Sequence, residues 1–413
     1  MATLISNIKQ LVNVRSAWEL LRGEHLSNLP CIANAYLIVE GERIAGYGKM
    51  EELKYPPSTF KEHYNANGSL VLPSWCDSHT HLVFSGSRED EFRDKIKGAS
   101  YADIAAKGGG ILNSARSLNN TSEDELFYQS YKRLEEVIRL GTGAIEIKSG
   151  YGLTVEGELK MLRVIKRLKQ SSKISIKATF LGAHAFPAEY NDSHEGYIDL
   201  IISQMLPRIA QESLADYIDV FCEKGFFSPN QMERICLAGK EYGLQPKLHV
   251  NQLNSIGGLQ KGIDVNALTL DHLETMTDED VRSLAASNSV GTLLPTAAFF
   301  LRMNYQPARK LIDAGCAIAL ASDFNPGSSP SGNMNFVTAL SCIQMRMLPE
   351  EVINAATING AYAMGLQDDV GSISVGKKAN LIITKDVPSL TFLPYAFGNN
   401  VIEKVMLCGD WVS

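Results

Sequence analysis

Short apolar runs alternate with segments of helical periodicity through the middle of the chain. Eight of the runs have the length and composition of buried strands: Ser69–Trp75, Ala144–Lys148, Ser175–Leu181, Tyr217–Cys222, Gln245–Val250, Ala267–Asp271, Val290–Leu294 and Ala317–Ala321. Helical patterns lie between most of them: Glu123–Leu140, Glu156–Lys169, Glu195–Ala210, Asn230–Tyr242, Asp278–Ser287 and Gln306–Ala314. These repeats predict an α/β fold with a parallel sheet closed into a (β/α)8 TIM barrel, because eight such units exceed the usual open sheet. A doubly wound open sheet is the alternative, but no glycine-rich phosphate loop of the Walker or Rossmann type follows any strand.

Both ends of the chain have the character of short strands instead. Residues 31–48 contain two apolar stretches that flank Glu40-Gly41-Glu42, which is a hairpin signal. Residues 380–384 and 401–407 are apolar runs of the same kind. We therefore predict a small sheet domain assembled from residues 1–68 and 376–413, with the barrel formed by residues 69–375.

Charge and cysteine usage narrow the classes of function. The chain of 413 residues has 39 Lys and Arg against 46 Asp and Glu, and this net charge of −7 argues against nucleic acid or an anionic membrane as the main partner. No apolar run approaches the roughly 18 residues of a membrane span. The N-terminus lacks a basic region ahead of an apolar core, so we expect no signal peptide. The seven cysteines are scattered without a Cys-x-x-Cys pair, which predicts a cytoplasmic protein with reduced thiols.

Polar residues gather where the predicted strands end, and chemistry in barrels of this kind occurs at those ends. Five of the eight histidines fall there: His79, His81, His184, His249 and His272. We expect the other three to be surface residues: His25, His63 and His194. The eighth predicted strand is followed by Asp323, Asn325 and Gly327.

His79 and His81 lie two positions apart, so an extended segment places both imidazoles on one face. Two neighbouring histidines are a weak signal alone. His249 and Asp323 at equivalent strand ends strengthen it, because three imidazoles and one carboxylate suit zinc or iron and leave a position for water. Such an ion lowers the pKa of its water toward about 7 and supplies hydroxide at neutral pH.

The order of His-x-His on the first strand, histidine on the fifth and sixth, and aspartate on the eighth resembles the amidohydrolase superfamily. More specific strings extend the resemblance over essentially the whole chain: DSHTHLVFSGSREDEF, IEIKSGYGL, FLGAHAFP, HVNQ and SDFNPGS. The resemblance implies a β-sandwich domain built from both chain ends beside the barrel. It also implies one Zn²⁺ or Fe²⁺/Fe³⁺ ion per subunit, a small-molecule substrate and a homodimer.

Within the superfamily, these strings resemble enzymes that hydrolyse the C–N bond of a five-membered ring amide carrying a propanoate tail. The resemblance implies four metal ligands: His79, His81, His249 and Asp323. It implies seven substrate contacts: Arg88, Tyr151, His184, Gln252, Asn325, Gly327 and Ser328. The catalytic residues would be His272, Asp323 and Gln252, acting with hydroxide held by a single ion.

Three positions need separate comment. Gln252 stands where many members of the family have glutamate; since an amide cannot take a proton, we assign the general base to His272 or Asp323. Lys148 lies on the second strand, whereas two-metal relatives carry a carbamylated lysine on the fourth, so we predict a mononuclear site. Arg88 offers a planar fork that fits a carboxylate. Its alternative role is that of a solvated residue in an acidic loop.

Other functions remain open at this point. Another mononuclear amidohydrolase, such as an aminohydrolase acting on a guanine- or cytosine-like ring, would not need Arg88 for a carboxylate tail. A non-catalytic relative would be expected to lose metal ligands, and here all four are present. Metal storage is weaker still, because a single site buried in a barrel exchanges slowly. The fold alone does not decide among these functions.

Overall fold

The computed structural model describes residues 2–17, 19–98 and 109–412. Within them lie sixteen strands in two sheets. The strands are β1 (Ala2–Val12), β2 (Cys31–Glu40), β3 (Arg43–Lys49), β4 (Glu62–Asn65), β5 (Leu70–Pro73), β6 (Trp75–Asp77), β7 (Thr142–Lys148), β8 (Ser175–Ala183), β9 (Tyr217–Cys222), β10 (Gln245–Val250), β11 (Thr269–His272), β12 (Val290–Leu293), β13 (Ile318–Leu320), β14 (Leu381–Thr384), β15 (Ile402–Leu407) and β16 (Asp410–Trp411).

The eight strands β6 to β13 form the barrel. Each pairs in parallel with the next along the chain. The segments that follow β6 and β13 bring the two edges together: Asp323 N donates to His79 O at 3.0 Å, and His81 N donates to Phe324 O at 2.9 Å. The Asp77 carboxylate accepts from the backbone and hydroxyl of Ser322 across the same seam. The predicted TIM barrel is confirmed.

Most of the helices connect the strands of the barrel, and those after β13 lead from the barrel into the mixed sheet or lie within its last connection. They cover Glu89–Ile96, Ile111–Asn120, Glu123–Arg139, Val155–Ser171, His194–Leu200, Leu206–Glu212, Pro229–Glu241, Gly258–Asp264, Asp278–Ala286, Pro295–Leu301, Ala308–Asp313, Met334–Met345, Pro349–Ala356, Ile358–Tyr362 and Phe392–Tyr395. Short 3-10 turns cover Gly23–Ser27, Met50–Glu52, Pro57–Thr59 and Ala188–Tyr190. Several helices begin where a hydroxyl caps a free backbone N–H, as Ser122 does for Glu125 and Thr154 for Gly157. No helix of the described residues is long and apolar enough to cross a membrane.

One predicted helix differs from the structure. The segment 195–210 is interrupted by a π-helical turn, Ile201–Met205, between two α-helices. Pro207 lies just after this turn, and proline has no N–H for the ordinary helical hydrogen bond to the preceding turn. The other five predicted helices are present within two residues at each end.

The second sheet is mixed and uses both ends of the chain. Its strand order is β16-β15-β14-β5-β1-β2-β3, with β4 beside β1. β2 and β3 form the predicted hairpin, in which Glu40 pairs with Arg43 around Gly41. The ends therefore meet in one sheet beside the barrel, as expected for the sandwich domain. The division at residues 68/69 and 375/376 remains a prediction.

The first predicted barrel strand, Ser69–Trp75, is wrong as a single element. Leu70–Pro73 is β5 of the mixed sheet, where Leu72 pairs with Ile382, and only Trp75–Asp77 belongs to the barrel. The chain changes sheets at Ser74, whose N–H donates to Asn380 O at 2.9 Å. A continuous apolar run fits a buried strand in either sheet, so its pattern does not reveal the change.

Candidate active site

Four histidines and one aspartate meet at the carboxyl ends of the barrel strands. His79 and His81 follow β6, His249 lies near the end of β10, and His272 ends β11. Asp323 follows β13. All five are at most 2% exposed. In the described part of the chain they supply two groups of potential metal ligands, in which the ligand atoms lie within 4.8 Å of one another: His79, His81 and His249, and His79, His272 and Asp323.

The distances within this cluster are short. His81 Nε2 lies 3.3 Å from His249 Nε2. The Oδ1 atom of Asp323 lies 3.5 Å from His79 Nε2 and 3.6 Å from His81 Nε2. The polar edges of the imidazoles therefore face one small volume, as the strand-end pattern predicts.

Two buried carboxylates hold the far sides of the imidazoles. Asp271 accepts from His79 Nδ1 at 2.7 Å, and Asp219 accepts from His249 Nδ1 at 2.8 Å. Each carboxylate fixes the tautomer with the proton on Nδ1, which leaves the Nε2 lone pair facing the cluster. This arrangement is typical of histidines that bind a metal.

Burial and neighbouring charges keep the three clustered histidines neutral. Burial, and then nearby positive groups including Lys148, lower the pKa of His79 and His249 well below the ordinary value. Burial, and then the neighbouring imidazole of His184, do the same to the pKa of His81. Neutral imidazole is the form that binds a metal.

The other two members of the cluster differ. Burial raises the pKa of Asp323 to about 6, and His272 opposes that rise. Burial lowers the pKa of His272, but the charge and hydrogen bond of Glu274 and the charge of Asp323 outweigh it, and the pKa is raised. His272 Nδ1 lies 3.3 Å from Glu274 Oε1. His272 is therefore the more basic imidazole of the site.

The residues present fit a metal ion. His79 Nε2, which faces the cluster, is buried and has no hydrogen-bond partner among the described residues. Buried polar atoms are rarely left unpaired without a reason, and a cation near this nitrogen would supply one. Three neutral imidazoles and a carboxylate are a common ligand set for zinc and iron.

One cavity of about 550 Å³ opens over the cluster, and all seven predicted substrate contacts line it: Arg88, Tyr151, His184, Gln252, Asn325, Gly327 and Ser328. His81, His249, His272 and Asp323 line it as well, whereas His79 does not. Aromatic and aliphatic side chains complete the walls, among them Phe92, Phe221, Phe226, Phe300 and Met303. The structure thus brings the predicted residues to one site.

The KSGYGL segment owes its shape to Glu158. This buried carboxylate accepts from three backbone N–H groups, those of Gly150 at 3.0 Å, Gly152 at 2.7 Å and Leu153 at 2.9 Å. Gly150 has φ +112°, which favours glycine, and its carbonyl lies 3.0 Å from His184 Nδ1. The loop thereby places Tyr151 beside the cavity.

His184 and Tyr151 lie next to the histidine cluster. The His184 ring stacks on His81 with centroids 5.2 Å apart, and the Tyr151 ring lies 5.4 Å from His184. Burial lowers the pKa of His184 to about 4, so its imidazole is neutral at physiological pH.

The SDFNPGS segment is held by Asn325. Its Nδ2 donates to Asp323 O at 2.6 Å, and its Oδ1 accepts from the backbone of Gly327 and Ser328, both at 2.8 Å. Ser328 Oγ donates to Asp323 Oδ2 at 3.2 Å. Asn325 therefore shapes the loop that carries Asp323, a role that the sequence did not suggest.

The two amide side chains that follow His249 lie in different surroundings. Asn251 has φ +55° and donates to Thr275 O at 3.0 Å, away from the cavity, whereas Gln252 lines the cavity. Only Gln252 is placed to contact a substrate.

The sequence analysis missed the residues behind the cluster. Asp219 is a single acidic residue in an apolar strand, and Asp271 directly precedes His272. A buried acidic residue in a strand core is itself an anomaly, since such residues are almost never fully buried unless paired. That anomaly is the signal that could have found them.

Comparison with known proteins agrees with this fold and site. A family model described as the amidohydrolase family matches residues 70–412. A variant of triazine hydrolase has a TM-score of 0.76 at 14% identity, over 99% of this chain and 94% of that one. The Escherichia coli guanine deaminase has a TM-score of 0.73 at 16% identity, over 100% of this chain and 99% of that one. The protein is an amidohydrolase, and these two structures establish the likeness of fold alone.

Curated relatives are closer. The imidazolonepropionase of Flavobacterium johnsoniae is 58% identical over 99% of this chain and 100% of its own length. That of Christiangramia forsetii is 54% identical over the full length of both chains, and that of Clostridium tetani is 43% identical over 99% of this chain and 97% of its own. The chain therefore belongs to the imidazolonepropionase family of amidohydrolases. The family and the histidine cluster together indicate a metal ion at the site.

Proposed function

We propose that the protein hydrolyses 4-imidazolone-5-propanoate to N-formimidoyl-L-glutamate, a step of L-histidine degradation. The observation that carries the proposal is a single cavity lined both by the histidine–aspartate cluster and by Arg88. The cluster suits hydrolysis of a ring amide, and Arg88 suits the propanoate carboxylate. A deaminase pocket for a neutral heterocycle would have no use for this arginine.

His79, His81, His249 and Asp323 would hold one ion per subunit, Zn²⁺ or Fe²⁺/Fe³⁺. When bound, the ion would polarise the ring carbonyl and make hydroxide available at neutral pH. His272, at the edge of the cluster, would donate a hydrogen bond to the oxygen that becomes negative when the carbonyl carbon is attacked.

Asp323 would take the proton from water and deliver it to the ring nitrogen as the C–N bond breaks. Its carboxylate is held for this by Ser328 Oγ at 3.2 Å. Gln252 would orient the ring or the water through its amide, which leaves proton transfer to Asp323 and His272. One water adds across the bond: its oxygen enters the new carboxylate, one of its protons reaches the leaving nitrogen, and the other is released to solvent as the carboxylic acid ionises.

The remaining residues would fix the substrate. Arg88 would donate to the propanoate, while Tyr151 and His184 would bond to ring atoms. Gly327 and Ser328 would contact the substrate from the loop that Asn325 shapes. The walls around Phe221 and Phe300 would exclude water from the ring.

The test is metal removal and restoration on the purified protein. Protein stripped of metal with a chelator should be inactive on imidazolone generated with urocanase, and added Zn²⁺ or Fe²⁺ should restore turnover. Mass spectrometry in ¹⁸O-water should find one ¹⁸O in N-formimidoyl-L-glutamate. Release of ammonia from guanine, with no turnover of the imidazolone, would instead support a deaminase. Elemental analysis of the untreated protein identifies the ion.

We also propose a cytoplasmic homodimer. All seven cysteines are free among the described residues, and five of them are buried, which suits a reducing compartment. Light scattering of the purified protein should give twice the mass of the 45.3 kDa chain.

A further inference from the structure

A buried lysine lies behind the histidine cluster, and nothing in the proposed reaction uses it. Lys148, the last residue of β7, is 0% exposed. Its Nζ lies 2.7 Å from Glu146 Oε1, 2.9 Å from Asp219 Oδ2 and 3.6 Å from Asp271 Oδ2. A fully buried ammonium is costly unless paired, so three carboxylates around one lysine call for an explanation.

The oxygens that Lys148 approaches are the ones that hold the imidazoles. Oδ2 of Asp219 accepts from His249 Nδ1, and Oδ2 of Asp271 accepts from His79 Nδ1. One ammonium therefore connects two carboxylates on different strands, and through them two imidazoles that lie 4.5 Å apart between ring centroids.

The lysine itself is fixed from its other side. Glu146 accepts from Lys148 through Oε1 and pairs with a second buried lysine, Lys247, through Oε2 at 2.6 Å. Lys247 Nζ also donates to the carbonyls of Ser78 and Ala363. Two cations and three carboxylates thus form one rigid layer beneath the cluster.

We propose that Lys148 is a positioning residue that aligns His79 and His249 for metal binding by holding Asp271 and Asp219 together. A metal–ligand imidazole needs its Nε2 lone pair directed at the ion, and the acceptor on Nδ1 sets that direction. Because both acceptors share one cation, a change at Lys148 disturbs both ligands. This inference rests on the metal site of the proposed function.

The matched control is Lys247. It is equally buried and also paired with Glu146, but in the described part of the chain it makes no ion pair with Asp219 or Asp271. Lys148→Met and Lys247→Met both remove a buried charge and should both lower stability. Lys148→Met should weaken Zn²⁺ binding to the chelator-treated protein by roughly 10- to 100-fold, the range found for outer-shell partners of metal ligands. Lys247→Met should weaken it less, because Lys247 reaches the cluster only through the Ser78 carbonyl and Glu146.

The measurement is the Zn²⁺ dissociation constant, obtained by competition with a chromophoric chelator, together with the visible spectrum of the Co²⁺-loaded protein. Lys148→Met should alter the Co²⁺ spectrum more than Lys247→Met does, since it changes the directions of two ligands. A loss of stability alone would not move the spectrum of the folded fraction.

A double-mutant cycle covers the case in which Lys148→Met does not fold. Asp219→Asn and Asp271→Asn each weaken Zn²⁺ binding, and the double variant should lose less than the product of the two fold-changes, because the lysine couples them. Independent effects would overturn the inference, as would a Lys148→Met protein with wild-type affinity and spectrum. If the wild-type protein binds no metal, the proposed function falls and this inference with it.

Discussion

Gly327 lies directly against the guanidinium of Arg88: a Cβ placed on this glycine would be 2.2 Å from Arg88 Nη1. No real Cβ makes such a contact, so Gly327→Ala should push the arginine out of its position. We expect kcat/KM for the imidazolone to fall by roughly 10- to 100-fold, the scale of a lost hydrogen bond to a charged group. Gly398→Ala is the control, because nothing lies within 4 Å of that added Cβ. Equal activity in both variants would mean that Arg88 is not required at this position.

Substitution of the arginine itself tests the carboxylate contact. Arg88 Nε and Nη2 donate to Glu91 Oε2 at 2.8 and 2.6 Å, which fixes the plane of the fork. Arg88→Lys replaces that fork with a point charge, so KM should rise. Arg93→Lys, at an exposed position of the helix Glu89–Ile96 that follows Arg88, should have no effect. An Arg88→Lys enzyme with unchanged kcat/KM would refute the assignment.

Substitution of His272 distinguishes a catalytic role from a role in metal binding. His272→Ala should retain the ion, since His79, His81, His249 and Asp323 remain, while kcat should fall by roughly 100-fold or more. His249→Ala should lose metal and activity together. Metal content and turnover must be measured on the same preparations. A metal-free His272→Ala protein would make His272 a ligand, in the second group that the geometry allows.

Gln252 lines the cavity with an amide at the position where the sequence resemblance leads us to expect a glutamate. If the amide only orients the substrate or water, Gln252→Glu should keep substantial activity, with a shifted pH–rate profile because a titrating group is added beside the metal. Gln252→Ala should reduce kcat/KM. Wild-type kinetics in the alanine variant would show that the residue has no role in the site.

The lowered pKa of Lys377 predicts that the free energy of unfolding depends on pH. Burial lowers its pKa from the ordinary 10.5 to about 8, although Nζ donates to Val370 O and Ser372 Oγ. Between these two pKa values the unfolded chain holds a proton that the folded chain lacks, so the contribution of Lys377 to the free energy of unfolding rises with pH. Its destabilising effect on the folded protein is therefore largest below pH 8. The free energy of unfolding of Lys377→Met, compared with that of the wild-type protein, should therefore be highest below pH 8 and should fall toward pH 10.5. Urea unfolding at several pH values measures it; a constant difference would contradict the shift.

The sequence predicted the residues that line the cavity better than it predicted the buried carboxylates that hold those residues in place. Histidines at strand ends are recognisable because a barrel brings those ends together, and this placed His79, His249 and His272 correctly. Asp219 and Asp271 act through contacts between strands more than 20 residues apart, and periodicity carries no record of such contacts. Glu158 was missed for a different reason: its contacts to Gly150, Gly152 and Leu153 are local, but they join a helix to the loop before it and leave no periodic signal.

The predicted bounds of strands and helices were wrong where one sequence pattern fits two structures. The apolar run around Ser74 serves two sheets, and only the pairing of Leu72 with Ile382 and of Cys76 with Ala144 separates them. The π-helical turn before Leu206 also has no periodic signal. Left-handed backbone at His272, φ +84°, and at Asp323, φ +51°, is equally invisible in the sequence. Strain of this kind is concentrated at functional sites.

The position of β5 between β1 and β14 has a consequence for biosynthesis. Residues 70–73 leave the ribosome some 300 residues before their partner at 381–384, so one edge of β5 stays unpaired while the whole barrel is being made. An unpaired apolar strand edge is a template for pairing with another chain. We therefore expect proteins truncated before residue 381 to aggregate rather than yield a smaller enzyme, because the residues from 381 onward cover that edge.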